Sequence, residues 1–293
     1  VPGNMLIYWQ SEQFFKNFES KLIGDAINAR VGLDTGDNDR FIRLWEEVPY
    51  HKTLLKAQKA EDVTSPYKWV PHTKGGAYRK WYGNFDWVIA FDNQNYYALL
   101  NSGNNLPSRQ FYFKEGITWS RISTSNFAVR YTPDGMVFNS ACPTAFADES
   151  VLMYSLGLLN SVIVQSYVMA LSPTMNFQAG DIDKVPFIYD EISSKNVIEI
   201  VNTCITLSKN DWESLEISWD FERHPLVKTG FSRSHWNEDN VTIEKCFRAW
   251  TDECDQRFEQ LKENEEELNR IFIDIYGLQD ELTPEVEDKD VTV

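Results

Sequence analysis

Two runs of apolar positions dominate the middle of the chain, one over 151–159 and one over 162–171, with Asn160-Ser161 between them. Asp148 is of the type that caps helix N-termini and Pro173 of the type that stops helices. The pattern therefore predicts two short helices meeting at the Asn-Ser break. A membrane span needs about 20 consecutive apolar residues, which neither run supplies. Helices apolar on all sides must be buried, so the domain is expected to pack around this pair. Nearer the C-terminus, Ile243, Phe247, Trp250, Cys254, Phe258, Leu261, Leu268, Phe272 and Ile275 recur at steps of three, four and seven. That seam predicts one helix over 242–274, roughly 50 Å long, with a Glu-rich outer face. Gly277 is expected to end it, and Thr283-Pro284-Glu285 to cap and start another. This is the arrangement expected of a segment of a longer protein.

The other elements are shorter. Ser11 caps a helical pattern carrying Phe14, Phe15 and Phe18. Strands are predicted over 23–33, 86–91, 111–113 and 117–123. Two more, 127–131 and 136–139, flank Thr132-Pro133-Asp134-Gly135, whose Pro and Gly positions signal a hairpin turn. A further helix fits 194–207. Residues 46–80 read as irregular, punctuated by Pro49, Pro66, Pro71 and Gly75-Gly76, and a loop that long in a compact domain is more often functional than idle. Residues 210–239 read as an aromatic, acidic connector. The fold class is α+β: a mixed-sheet domain over 1–208 around the buried helical pair, then a helical extension over 209–293.

Charge changes this picture through its distribution. A net charge of −16 argues against nucleic acid as a partner, yet 15 of the acids and only 4 Lys/Arg lie in residues 251–293. Residues 51–130 hold 11 Lys/Arg against 5 Asp/Glu and carry Trp69, Trp81, Trp87 and Trp119. An acidic tail after a basic, aromatic middle is compatible with a local polyanion-binding face. Cys142, Cys204, Cys246 and Cys254 show no CxxC spacing and read as reduced core thiols of a cytoplasmic protein. His51, His72, His224 and His235 lack metal-like spacing and read as structural or exposed.

The motifs of catalysis are missing. No two prolines are adjacent, which removes the Pro-Pro-aromatic motif that holds a flipped base in amino-methyltransferases. No two glycines sit two apart, so the loops that cradle S-adenosylmethionine or a dinucleotide are not found, and neither are P-loop, HExxH or GxSxG patterns. The Glu-x-Lys at Glu287-Asp288-Lys289 lies in the charged tail, away from any nuclease-like cluster. No catalytic residue and no metal ligand is assigned, and chemistry by this chain alone is not expected.

A DNA reader needs cations for phosphates and amide or planar side chains for base edges. The glycine- and Asx-rich turn at 32–38, with Thr35 and Asn38, leads to Arg40 and Arg43 and would let backbone approach a phosphate. Lys68, Lys74, Arg79 and Lys80 interleave with Tyr67, Trp69, Tyr78, Trp81 and Tyr82, and Arg109, Arg121 and Arg130 lie on or beside predicted strands. Asn38 and Gln178 are amides able to read adenine, and equally turn or capping residues. Trp87, Phe91, Trp119, Phe127 and Phe138 are expected in the core. The long helix would repel phosphate and is expected to be a spacer or partner-docking stalk.

Four segments occur in a telling order: 32–38 with Phe41, Thr118-Trp119-Ser120-Arg121-Ile122-Ser123, Leu156-Gly157-Leu158-Leu159-Asn160-Ser161, and Asp181-Ile182-Asp183-Lys184-Val185-Pro186-Phe187. The set resembles the target-recognition domains of adenine-specific DNA methyltransferases and of type I specificity subunits. Asp34-Thr35-Gly36-Asp37-Asn38-Asp39-Arg40-Phe41, Asp211-Trp212-Glu213-Ser214, Ser218-Trp219-Asp220-Phe221 and residues 265–273 and 276–286 are similar to the PglX family of bacteriophage-exclusion (BREX) methyltransferases. The resemblance covers nearly the whole chain. It implies a domain that selects a short double-stranded DNA site for N6-adenine methylation, which marks host DNA and licenses exclusion of unmarked phage DNA. Catalysis and S-adenosylmethionine would belong to a methyltransferase domain upstream in the parent protein, with no cofactor in this chain. Further expected partners are that domain, other phage-exclusion components, and an acidic DNA-mimicking inhibitor docked on the positive patch; a membrane is not expected. Two rivals stand beside this reading. A type I specificity subunit would show two recognition domains and two such helices, where one of each is seen. A protein-interaction scaffold would work through its acidic helix.

Overall fold

The computed structural model describes residues 10–123, 125–171, 176–230 and 242–293. The chain enters through α1 (Glu12–Lys16), β1 (Lys21–Leu22) and β2 (Asn28–Arg30), and α2 (Asn38–Phe41) runs straight into β3 (Ile42–Leu44). Next come β4 (Trp69–His72), β5 (Trp87–Ala90), α3 (Asn93–Leu100), β6 (Gly116–Trp119), β7 (Val129–Thr132) and β8 (Thr144–Phe146). The helical half comprises α4 (Glu149–Leu159), α5 (Val162–Leu171), α6 (Ala179–Ile182), β9 (Pro186–Phe187), α7 (Glu191–Glu213), α8 (Pro225–Gly230) and α9 (Ile243–Tyr276).

The strands make a four-stranded sheet, β2-β8-β6-β7, a three-stranded sheet, β3-β5-β4, and a β1-β9 pair. Among the described residues every ladder is antiparallel, and parallel pairing enters through isolated bridges such as His72 with Val137 and Leu33 with Asn139. The fold is α+β with a C-terminal helical extension. Ile117, Trp119, Val129 and Ala145 turn one face of the larger sheet onto α4, with α7 and α9 beyond, in the main core. Its opposite face presents Thr118, Arg130, Thr132 and Thr144, all buried. A second core of Phe41, Ile42, Val70, Ile89, Phe91, Leu99 and Phe113 organises the three-stranded sheet and α3.

The helical pair forms as the apolar runs predict, bent by 74° at Asn160-Ser161. No single helix among the described residues is long and apolar enough to cross a membrane. The break has its own work: Asn160 accepts the Val129 N–H and donates to the Val129 carbonyl, both at 2.9 Å. Gln165 grips Phe127 in the same way, at 3.2 and 2.6 Å. These amides satisfy backbone at the start of β7 and just before it, where Trp81 also bonds the outer edge through the Val129 carbonyl and the Tyr131 N–H. Gly157 permits the close approach of α4 to α7, because a Cβ there would lie 2.8 Å from Val201 Cγ2.

Several expected elements differ, each for a tertiary reason. Only Asn28–Arg30 of 23–33 is strand; Ile23–Asp25 turns as a 3₁₀ helix so that the Ile23 and Gly24 N–H groups reach the Val185 and Asp183 carbonyls. The irregular 46–80 stretch hides β4, whose Pro71 is tolerated because β4 is an edge strand. Residues 111–113 follow a 3₁₀ turn, Arg109–Phe111, instead of extending. Residues 136–139 make bridges: Val137 N–H bonds the Pro71 carbonyl and Thr73 N–H the Val137 carbonyl. No helix starts at Thr283; the tail runs to a 3₁₀ turn at Asp288–Asp290, with Asn269 holding the Pro284 carbonyl at 3.0 Å.

The long helix matches its predicted span, from an N-cap at Thr242 to Gly277 in the left-handed region at φ 66°. Its role as a stalk is corrected. Leu261, Leu268, Phe272, Ile273 and Tyr276 lie in the main core against α4, α5 and α7. Only the first half, before Arg257, is largely exposed. Pro173, His235 and residues 231–239 of the connector lie outside the described residues.

Candidate nucleic-acid interface

Among the described residues, no ion pair involves a residue before Arg79. The paired acids of the helical extension meet the extension's own cations, mostly along one helix, or Arg79 and Lys80. Among the described residues, the cations that precede Arg79 therefore have no ion-pair partner. Several lie over aromatic rings, which hold a cation without discharging it. Lys74 Nζ is 4.0 Å from the Trp87 ring centre, Lys68 Nζ 5.0 Å from Trp69, and the Arg40 guanidinium 4.7 Å from Phe41.

Two cavities flank α3. One of ≈430 Å³ is bounded by Lys52, 63–67, Lys68, Asp92, Asn93 and Gln94. Another of ≈250 Å³ has Lys59, Arg109, Gln110 and Lys114 on its wall, with Tyr96 and Tyr112. The structure thus gathers Lys68 and Arg109, named from sequence, with Lys52, Lys59, Lys114, Asn93, Gln94 and Gln110, which were not. The missed residues carry no spacing signal. They become neighbours only because β4 and β5 pair and deliver α3 between the loops.

The turn at 32–38 is a structural knot. Thr35 is buried, donates to Asn38 Oδ1 at 2.6 Å and accepts the Asp37 N–H at 3.2 Å. Asn104 Oδ1 accepts the Asp34 N–H at 2.7 Å. Gly103 is required where these segments meet, since its φ is +54° and a Cβ would fall 1.9 Å from the Asp34 carbonyl oxygen. Thr35 and Asn38 thus shape the loop that presents the exposed Arg40. Arg43 spends its guanidinium on the Asp39 and Ile42 carbonyls at 2.5 and 2.7 Å. Gln178 is exposed at the N-cap of α6, far in sequence from the cations, and makes no capping bond. Arg121 is half-buried, with its Nε lacking a hydrogen-bond partner.

Three sequence candidates point inward. Lys80 is buried in an ion pair with Glu265 of α9, whose other oxygen accepts the Trp81 indole N–H at 2.6 Å. Arg79 reaches Asp211 of α7 at 2.5 Å, and Arg257 reaches the other oxygen of that carboxylate at 3.4 Å. Arg130, 2% exposed, donates to the Arg79 carbonyl and Ser120 Oγ at 3.3 and 3.4 Å. Burial lowers its pKa from the ordinary arginine value. Lys80 and Arg130 lie inside the protein, while Arg79, its side chain 16% exposed, is tied down against α7. His72 is buried beneath the same region: its Nδ1–H donates to the Val137 carbonyl at 2.9 Å. Desolvation, helped by nearby Lys74 and opposed by the Val137 bond, brings its pKa down to about 4.

The four cysteines are free thiols. No group of three or more His, Cys, Asp or Glu among the described residues could hold a metal ion. Neither cavity wall contains a glycine, so neither fits S-adenosylmethionine, which is cradled by a glycine-rich turn, and no step is derived through it.

No family model matches the chain. The fold is shared with part of a restriction-modification enzyme: the Type IIL enzyme MmeI, solved in complex with DNA, superposes with a TM-score of 0.53 at 13% identity, covering 90% of this chain and 34% of that one. Sequence narrows the class. The adenine-specific methyltransferase PglX of Lacticaseibacillus casei (strain Zhang) is 40% identical over 304 residues, covering 100% of this chain and 25% of the relative. The adenine-specific methyltransferase BrxX of Escherichia coli O9:H4 (strain HS) is 31% identical over 289 residues, covering 97% of this chain and 22% of the relative. Over its whole length the chain corresponds to a segment of these adenine-specific methyltransferases, and it spans about a quarter of the length of the curated relatives it matches.

Proposed function

We propose that this chain chooses the DNA site at which an N6-adenine methyltransferase of a phage-exclusion system acts. Methyl transfer and S-adenosylmethionine belong, in this reading, to the remainder of a longer protein, which flips the target adenine beside the reader. Residues 1–208 face the duplex and 209–293 brace them. The cytoplasm, where chromosomal DNA lies, is the implied location. One observation carries the reading: among the described residues, the cations of 40–114 other than Arg79 and Lys80 have no ion-pair partner, and five of them, Lys52, Lys59, Lys68, Arg109 and Lys114, line two cavities bearing free amides. The names of the relatives, and the DNA bound to MmeI, support it. Lys68, Lys74, Arg40 and Arg109, with Lys52, Lys59 and Lys114, are the candidate phosphate contacts.

The test is duplex DNA binding by the full chain, followed by fluorescence anisotropy at several salt concentrations. With about five phosphate contacts, log K falls against log salt with a slope of about −4.5, and reversing both Lys68 and Lys74 to Glu makes it shallower by about 2. Binding that ignores salt, or a slope the double variant leaves unchanged, rules this face out.

A further inference from the structure

The two cavities beside α3 are not equivalent. In the smaller, Gln58 is already bonded to Asp134 at 2.8 Å, and exposed Glu61 sits on the wall, where it would repel phosphate. In the larger, the sole carboxylate is Asp92. One of its oxygens, Oδ1, is occupied as the N-cap of α3, accepting the Asn95 backbone N–H at 3.0 Å and its side-chain amide at 2.7 Å. The next two residues, Asn93 and Gln94, are exposed on the cavity rim, and their side-chain amides make no hydrogen bond within the described protein.

Backbone bonds set Lys52 and Lys68 beside those amides. The Lys68 N–H donates to the Lys52 carbonyl, and the Phe91 N–H to the Lys68 carbonyl, both at 2.8 Å. Three segments are thereby laid side by side: the loop ending at Lys52, the start of β4, and the residue that leads into Asp92 and α3. Among the described residues, two cations without an acidic partner flank two side-chain amides without a hydrogen-bond partner. A carboxamide donates and accepts in one plane, which matches the N7 acceptor and N6 donor of adenine in the major groove, while lysines serve the phosphates on either side.

Resting on the reading that this chain selects a DNA site, we infer that Asn93 and Gln94 are its specificity-determining residues and that they read an adenine edge. Lys52 and Lys68 hold the flanking backbone. Thr35, Asn38 and Gln178 do not read bases: the first two are spent on their turn, and Gln178 lies on α6, a separate element.

The experiment is selection from a randomised duplex pool by the full chain and by Asn93→Ala, Gln94→Ala and the pair. The expected result is loss of roughly tenfold to hundredfold preference for adenine at one position, or at two adjacent ones, with unchanged salt slope and unchanged thermal melting. Full retention of the wild-type preference by the double variant overturns the assignment and leaves the site-selection reading standing. Failure of the wild-type chain to show salt-dependent binding overturns that reading, and the assignment with it.

Discussion

Lys68 and Lys74 lie at one end of the basic, aromatic stretch, Arg79 and Lys80 at the other. Nothing local separates them: each is a cation next to or near an aromatic ring. Yet Lys74 keeps an undischarged ammonium over Trp87, while Lys80 is sealed inside against Glu265. The difference comes from far away in the chain. Asp211 and Glu265 stand 132 and 185 positions from the cations they meet, and no acid of comparable reach arrives at Lys68 or Lys74. Burying an ammonium without a counter-charge is prohibitive, so the helical extension must supply carboxylates wherever it covers the loop. Where it does not cover the loop, the cations stay at the surface with their charge unspent.

The largest effect that would break this contrast is expected at Glu265. Glu265→Gln strands the Lys80 ammonium and costs about 3–5 kcal/mol in urea denaturation, whereas Lys80→Met with Glu265→Leu recovers most of it. A loss below about 1 kcal/mol for the single change would place Lys80 in water. Next comes pH, acting under the exposed end. Folded His72 resists protonation until about 4, against 6.5 for the unfolded chain. Its depressed pKa therefore leaves stability intact above pH 6.5, and about 3 kcal/mol is lost as pH falls from there to 4. The denaturation midpoint measured across that window should lose this component in His72→Asn. A smaller effect is expected for Asp211→Asn, about 1 kcal/mol, because the Asp211 side chain is 20% exposed and water screens its pairs with Arg79 and Arg257. Lys74→Glu, by contrast, should leave the midpoint within about 0.5 kcal/mol of wild type.

Much of the architecture was legible before any coordinates. The apolar runs around Asn160-Ser161 announced the bent pair, and the heptad-like seam located α9 to within a few residues. What the seam did not reveal was its partner. A stripe of Leu261, Leu268 and Phe272 reads the same whether it faces a distant protein or the chain's own α4 and α5. β4 was missed because Pro71 and its neighbours carry no alternation, all four residues being buried. The proposed site was legible only in part: Lys68, Lys74 and Arg109, named from sequence, keep clear of ion pairs among the described residues, Lys80 and Arg130 are buried, and Asn93 and Gln94 gave no signal at all.

Residues within a few positions of one another determined the helices, their caps, the turn at Asp134-Gly135 (though not a hairpin, since 136–139 bridges to His72 and Leu33 instead of pairing with β7) and the kinship to adenine-specific methyltransferases. Helical periodicity and capping chemistry are short-range properties and survive in the bare sequence. Tertiary structure alone decided which cations remain free, that the long helix closes the core, and that two unoccupied amides stand beside two unpaired lysines. Those outcomes depend on desolvation and on partners brought from distant positions, and neither is written next to the residue it governs.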